Sequence, residues 1–352
     1  MTLENRINAF VDLGKFLSQF SVDGIKKKDD ILHNDLFFDS LSMLIKRAKE
    51  SNGWFDDDNV LFALSSWSKS LTADNLTRWT SAYSFTDTTP KTIAIIMAGN
   101  IPLVGFHDFL SVLISGNKVL GKLSSNDKFF LPLIAKYLEY VEPQFKGRIN
   151  FTHKKLENFD AVIATGSDNT ARYFEYYFGK HPSIIRQNRN SAAILTGNES
   201  EEELAGLGED IFRYYGLGCR SVSKLFVPKG YDFDTFFNAI FKYGDIINYN
   251  KYQNNYDYNK AVYLMSLFKL QENGFLMLKE DASYASPIAT LFYEHYDSEE
   301  FIKNKLHDDI EKIQCLVTNL PIKNAVKFGD TQQPNLWDYA DDVDTLNFLI
   351  SL

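Results

Sequence analysis

The sequence has 352 residues, with 37 basic and 46 acidic side chains, a net charge of −9, and 45% hydrophobic and 15% aromatic residues. That length predicts two domains with separate cores, and an acidic balance with no basic block longer than Lys26–Lys28 argues against a nucleic-acid partner. No stretch reaches the roughly 18 apolar residues of a membrane span, so no transmembrane segment is expected. The two cysteines, nearly a hundred positions apart, make neither a disulfide framework nor a metal site and predict reduced thiols in the cytoplasm.

In chain order, Leu3, Ile7, Phe10, Gly14 and Leu17 recur at helical spacing, which reads as an amphipathic helix rather than a signal peptide. "DSLSMLIKRAKE" and "NVLFALSSWSKSL" carry the same period and "ESNGWFDDD" makes the turn between them, so the first 75 residues form a helical prelude. From Lys91 the texture changes. "KTIAIIMAG", "NKVLGKL" and "NFDAVIATGS" read as strands, alternating with helices in "LVGFHDFLSVLIS" and "SNDKFFLPLIAKYLEY". Such alternation predicts a parallel sheet that binds its ligand outside the carboxyl ends of the strands.

The third strand runs through Thr165-Gly166-Ser167 into a helix that closes at Gly179, with Ser167 as the expected N-cap. Backbone N–H groups at such a start suit a phosphate, although the same turn also serves as a plain cap. Neither a GxGxxG fingerprint nor a Walker A loop is present. Beyond Ser191 the alternation resumes: "SAAIL" as a strand, a helix with a Ser200/Glu203 capping box and a stop at Gly216, "SKLFVP" as a strand, and a helix in "YDFDTFFNAIFKYG". The polar "IINYNKYQNNYDYN" is expected to be a surface loop, and shorter strands follow near "SPIATLFY" and "IQCLVTNL".

Two positions carry candidate chemistry. Cys219 sits between Gly218 and Arg220 on a tight connection, where it is either a small core residue or a reactive thiol, and local chemistry leaves both readings open. Cys315 lies in an apolar run and reads as core. Asn100 follows the strand ending at Met97, where it serves either the turn's backbone or, as an amide donor, a developing oxyanion. None of the six histidines stands out as a base for a cysteine hydrolase.

"MAGNIP", "GKLSSND", "ATGSD", "NSAAIL", "GLGCRSVSKLFVP" and "FGDTQQPNLWDYADDVDTLNFL", in this order and spacing, resemble the acyl-CoA reductase family. That family includes the fatty acyl-CoA reductases of bacterial luminescence systems and forms a branch of the aldehyde dehydrogenase superfamily. The resemblance covers the chain from about Lys91 to its end. It implies an aldehyde dehydrogenase-like α/β fold: helices and a doubly wound cofactor domain over 1–187, a catalytic domain over 188–318, and a tail, 319–352, returning to the cofactor domain or a partner subunit.

The resemblance also implies roles. Cys219 matches the nucleophile, Asn100 the oxyanion donor, Lys122 with Ser124 and Ser125 the adenosine ribose loop, and Thr165, Gly166 and Ser167 the pyrophosphate site. Ser125 stands where NAD-preferring relatives often carry an acidic residue that would repel a 2′-phosphate, so NADPH is expected, with NADH possible. "RQNRNSAAIL" occupies the place of the superfamily's water-activating glutamate and holds no carboxylate. The resemblance thus implies reduction of a fatty acyl-CoA to an aldehyde through an acyl-Cys219 intermediate, in a homo-oligomer. The alternative is an acyltransferase or thioesterase using the same cysteine without a nicotinamide.

Overall fold

The computed structural model describes residues 1–86, 89–166 and 168–352. The chain divides into two units, Met1–Gln187 with Asn335–Leu352, and Asn188–Pro334. The first opens with α1 (Leu3–Leu17), a small hairpin of β1 (Phe20–Ser21) and β2 (Gly24–Ile25), then α2 (Asn34–Ser51), α3 (Asp57–Ser70) and α4 (Ala73–Thr80). Three of these helices start where a short polar side chain accepts a backbone N–H of the first turn: Thr2 from Asn5, Asp56 from Asn59 and Thr72 from Asn75. Phe10, Leu13, Phe16 and Leu17 form the buried stripe of α1.

The sheet of this unit follows as β3 (Thr92–Ile96), α5 (Phe106–Ile114), β4 (Lys118–Lys122), α6 (Phe130–Val141), β5 (Ile149–Phe151), β6 (Ala161–Thr165), α7 (Asp168–Phe178) and β7 (Ser183–Arg186). Its order is β5-β4-β3-β6-β7 and every pairing is parallel. The chain leaves β3 toward β4 and leaves β6 toward β7, so the adjacent β3 and β6 flank the topological switch point. The sheet is covered on both faces, which is why Ile93, Ala94 and Ile95 are all fully buried and why the strand reads as an unbroken apolar run.

Residues 335–352 pack into the same unit. His107 Nε2 lies 2.9 Å from the Leu336 carbonyl, and the Trp79 indole donates to the Tyr339 hydroxyl at 2.7 Å. Arg186, at the end of β7, bonds Asp108 on α5 and donates to Thr345 Oγ1 at 2.9 Å. Leu346 and Leu349 are buried in the core.

The second unit comprises β8 (Asn190–Ile194), α8 (Glu201–Phe212), β9 (Val222–Pro228), α9 (Phe233–Ala239), α10 (Asn250–Met265), β10 (Leu270–Glu272), β11 (Met277–Glu280), β12 (Thr290–Tyr296), α11 (Glu299–Asp308) and β13 (Ile313–Val317); the first unit closes with α12 (Thr345–Ile350). The sheet order is β10-β11-β12-β9-β8-β13, parallel except for the antiparallel edge strand β10. The α/β class with parallel sheets agrees with the sequence expectation.

Two local readings are corrected. The expected surface loop over "IINYNKYQNNYDYN" is largely helix α10. Its buried face is Tyr252, Tyr256 and Asn259, whose polar tips reach the Phe275 carbonyl, Glu272 and the Ile288 carbonyl at 3.0, 2.6 and 2.9 Å. Helical burial here is carried by amphipathic side chains that a hydropathy pattern scores as polar. The helix expected to run to Gly216 instead ends at Phe212, and a turn of Arg213–Gly216 follows. Tyr214, Tyr215 and Gly216 in that turn are all left-handed, with φ of 56°, 58° and 74°.

Candidate active site

Cys219 lies in the second unit, exposed, on the turn between that left-handed segment and β9, and neither cysteine is in a disulfide. The Ser221 N–H donates to the Gly218 carbonyl at 3.0 Å, closing the turn around the thiol. From β8, the buried Ser191 hydroxyl donates to the Cys219 carbonyl at 3.0 Å. Arg220 does not stand free beside the sulfur, because its Nε donates to the Thr331 carbonyl at 2.7 Å. Cys315, by contrast, is buried.

Ser191 belongs to the carboxylate-free segment "RQNRNSAAIL" and is its point of contact with the Cys219 backbone. The second unit's two histidines offer no base at this turn. His295 approaches the Pro228 carbonyl at the far end of β9, a strand that spans roughly 20 Å, and His307 is exposed near the end of α11.

Asn100, Lys122, Thr165 and Gly166 lie in the first unit at the carboxyl ends of the adjacent strands β3, β4 and β6. Asn100 is exposed on the loop after β3. The Asn52 side chain donates to the preceding Gly99 carbonyl at 3.1 Å. Gly99 is needed for close approach: a Cβ there would stand 2.5 Å from Ser124 Oγ. Lys122 ends β4, its carbonyl accepting the Met97 N–H at 3.1 Å, and Ser124 and the exposed Ser125 follow on the next turn. Thr165 ends β6, and Gly166 leads toward α7, packed so closely that a Cβ would lie 2.9 Å from the Phe174 ring. Ser167 lies outside the described residues.

The structure therefore gathers the ribose-loop, oxyanion-donor and pyrophosphate candidates at one sheet end. A dinucleotide fits this arrangement: the switch point is where open parallel sheets bind such ligands, Gly166 opens the way to a helix start, and no carboxylate stands at position 125.

Sequence reasoning missed the residues that brace these loops. Asp127 is buried, and its Oδ2 accepts the N–H of Leu103 at 2.8 Å, tying the turn after β4 to the loop that carries Asn100. Leu103 is left-handed, with φ of 58°. Burial pushes the Asp127 carboxyl up to about 6, against the hydrogen bond from Leu103. In the second unit Asp210 is fully buried and its carboxyl is likewise pushed up to about 6 by burial. The one available sequence signal was an acidic residue on the apolar face of a helix, beside Leu207 and Ile211.

Residues 69–238 match the family described as acyl-CoA reductase (LuxC). A long-chain acyl-protein thioester reductase of Aliivibrio fischeri is 24% identical over 153 residues, covering 39% of this chain and 32% of that protein, so the match spans about a third of the relative's length. Among solved structures, an aldehyde dehydrogenase from Bacillus cereus in an NAD+ complex aligns with a TM-score of 0.60 at 13% identity, covering 90% of this chain and 72% of that one. A P. syringae indole-3-acetaldehyde dehydrogenase variant, solved with NAD+, gives 0.61 at 13% identity, covering 92% and 74%. The fold is that of the aldehyde dehydrogenases, and the resemblance to acyl-CoA reductases is borne out.

Proposed function

We propose that this protein reduces an acyl thioester, an acyl-CoA in the first instance, to an aldehyde through an acyl-Cys219 intermediate. The Cys219 thiolate attacks the thioester carbonyl, the new S–C bond forms, and the C–S bond to coenzyme A breaks to release its thiolate. A reduced nicotinamide, when bound, would supply the hydride for reduction of the acyl-Cys219 carbonyl. Loss of the Cys219 sulfur from the resulting thiohemiacetal releases the aldehyde and restores the thiolate. Asn100 and the Cys219 backbone N–H are assigned as oxyanion donors, each worth roughly 3 kcal/mol in acyl-transfer enzymes. Lys122, Ser124 and Ser125 would hold the adenosine ribose and Thr165 to Ser167 the pyrophosphate. The absence of a carboxylate at Ser125 favours NADPH.

The observation that carries the reading is the contact of Ser191 with the Cys219 carbonyl. It brings Ser191, from a segment with no carboxylate to activate water, to the backbone of Cys219, and such a neighbour suits an acyl group kept for reduction. The matched relative's name points to a protein-borne thioester as a second acyl donor class.

Incubation with acyl-CoA and no nicotinamide, followed by intact mass measurement, is expected to add one acyl group to the wild type and none to Cys219→Ala. An adduct of equal yield on Cys219→Ala removes the cysteine from the mechanism. Acyl-CoA-dependent oxidation of NADPH with aldehyde as product separates the reductase from an acyltransferase or thioesterase.

A further inference from the structure

The turn that carries Cys219 is held from a distant part of the chain. Asp210, fully buried on α8, accepts three hydrogen bonds: from the Gly329 N–H at 2.7 Å, the Thr331 N–H at 3.0 Å and the Thr331 hydroxyl at 2.8 Å. One turn earlier on the same helix, Gly206 lets this segment lie close, since a Cβ there would stand 3.0 Å from the Phe328 carbonyl oxygen. Thr331 is itself fully buried, and its carbonyl accepts the Nε–H of Arg220 at 2.7 Å. Arg220 is the residue after the thiol.

We propose that Asp210 is a positioning residue for Cys219, acting through Thr331 and Arg220. The proposal rests on Cys219 being the acyl-carrying group. A carboxylate in a helix core is costly unless its oxygens are satisfied, and an apolar side chain would pack α8 against the loop more cheaply. Three donors converging on one carboxylate fix the 329–331 backbone in position and direction, which packing alone does not. That backbone presents a single carbonyl to Arg220, and Ser191 holds the peptide on the other side of the turn through the Cys219 carbonyl. The nucleophile is thus gripped through its own carbonyl and through the next side chain. The segment "FGDTQQP" thereby belongs to the active site without touching substrate.

Amide hydrogen exchange and acyl-transfer kinetics on the full chain test this with Asp210→Asn, Arg220→Ala and Arg220→Lys. In Asp210→Asn and Arg220→Ala, peptides spanning 217–222, which include the Ser221 amide bonded to Gly218, should exchange about tenfold faster, with β8 and the distal part of β9 unchanged. Acylation at saturating acyl-CoA should fall about tenfold or more with KM little changed, and Arg220→Lys, which keeps a donor, should recover much of the rate. Local exchange equal to wild type in both variants overturns the proposal, as does faster exchange spread evenly over residues 188–334. If wild type is never acylated, the functional reading fails, and the exchange comparison still decides whether Asp210 holds the turn.

Discussion

Asp127 joins the two loops that carry the first unit's candidate residues, and its carboxyl gives a sharp test. Its value in the folded state, about 6, lies above the ordinary 3.8 because burial penalises the charge. The folded protein therefore holds this proton more tightly than the unfolded chain does. Ionisation of Asp127 costs stability at neutral pH, and that cost shrinks as pH falls through about 6 toward 4. Relative to Asp127→Asn, which cannot titrate, the wild type should gain about 1 kcal/mol between pH 7 and pH 5 in urea titrations. A difference independent of pH would show that the carboxyl is not buried as described. Cys219 was visible in the sequence through its flanking glycine and its place outside any periodic run. Asp127, Asp210 and Thr331 were not, because each acts on a partner far along the chain, 121 residues away for Thr331 and Asp210.

Among the elements, the connection from α8 to β9 carries two consecutive tyrosines in left-handed backbone. Tyr214 and Tyr215 hold left-handed backbone that costs an L-residue roughly 1 kcal/mol or more each. Both are buried, and the Tyr215 ring stacks on Tyr249 at 4.6 Å. Gly216 completes the turn at φ 74°, and a Cβ there would meet the Ile211 carbonyl oxygen at 3.3 Å. Gly216→Ala should lower stability by about 1 kcal/mol in denaturant unfolding. An unchanged midpoint would mean the turn relaxes to another conformation.

Legibility followed burial pattern at this scale. β3 and β6 were readable because strands buried on both faces are apolar throughout, whereas β4 alternates buried and half-buried residues and was read from its place between two helices. β5 and β7 are three- and four-residue strands with no such run, and α10 hid its buried face behind tyrosine hydroxyls and an asparagine. The stop at Gly216 was read from the preference of helix ends for glycine. The chain reverses hand two residues earlier, at tyrosines, against that preference.

For the molecule as a whole, the two units account for the motifs separately. The first supplies a parallel sheet whose switch point lies between the strands ending near Asn100 and Thr165. The second supplies the thiol turn. The order of the first unit's motifs was readable from sequence because "MAGNIP", "GKLSSND" and "ATGSD" each follow a strand, where local turn chemistry marks them. A returning tail was expected over 319–352 from the resemblance alone; residues 335–352 belong to the first unit, and their docking depends on polar groups dispersed over the chain, which no local pattern marks. Tyr339 is the hub of that docking, meeting the Trp79 indole and the Tyr83 hydroxyl each at 2.7 Å. Tyr339→Phe leaves a part-buried indole N–H without its acceptor and should destabilise the first unit by about 1–3 kcal/mol in thermal or denaturant unfolding. No loss of stability would place the tail outside the core of that unit. Among the described residues no helix is long and apolar enough to cross a membrane.

In the proposed mechanism Cys219 hands its acyl group to a hydride rather than to water. Isolating the acyl-enzyme formed from acyl-CoA and following its mass and products with and without NADPH separates the two fates. The expected adduct persists in buffer and is discharged as aldehyde when NADPH is added, with one NADPH oxidised per acyl group. Discharge as free acid at the same rate in the presence and absence of NADPH would contradict it.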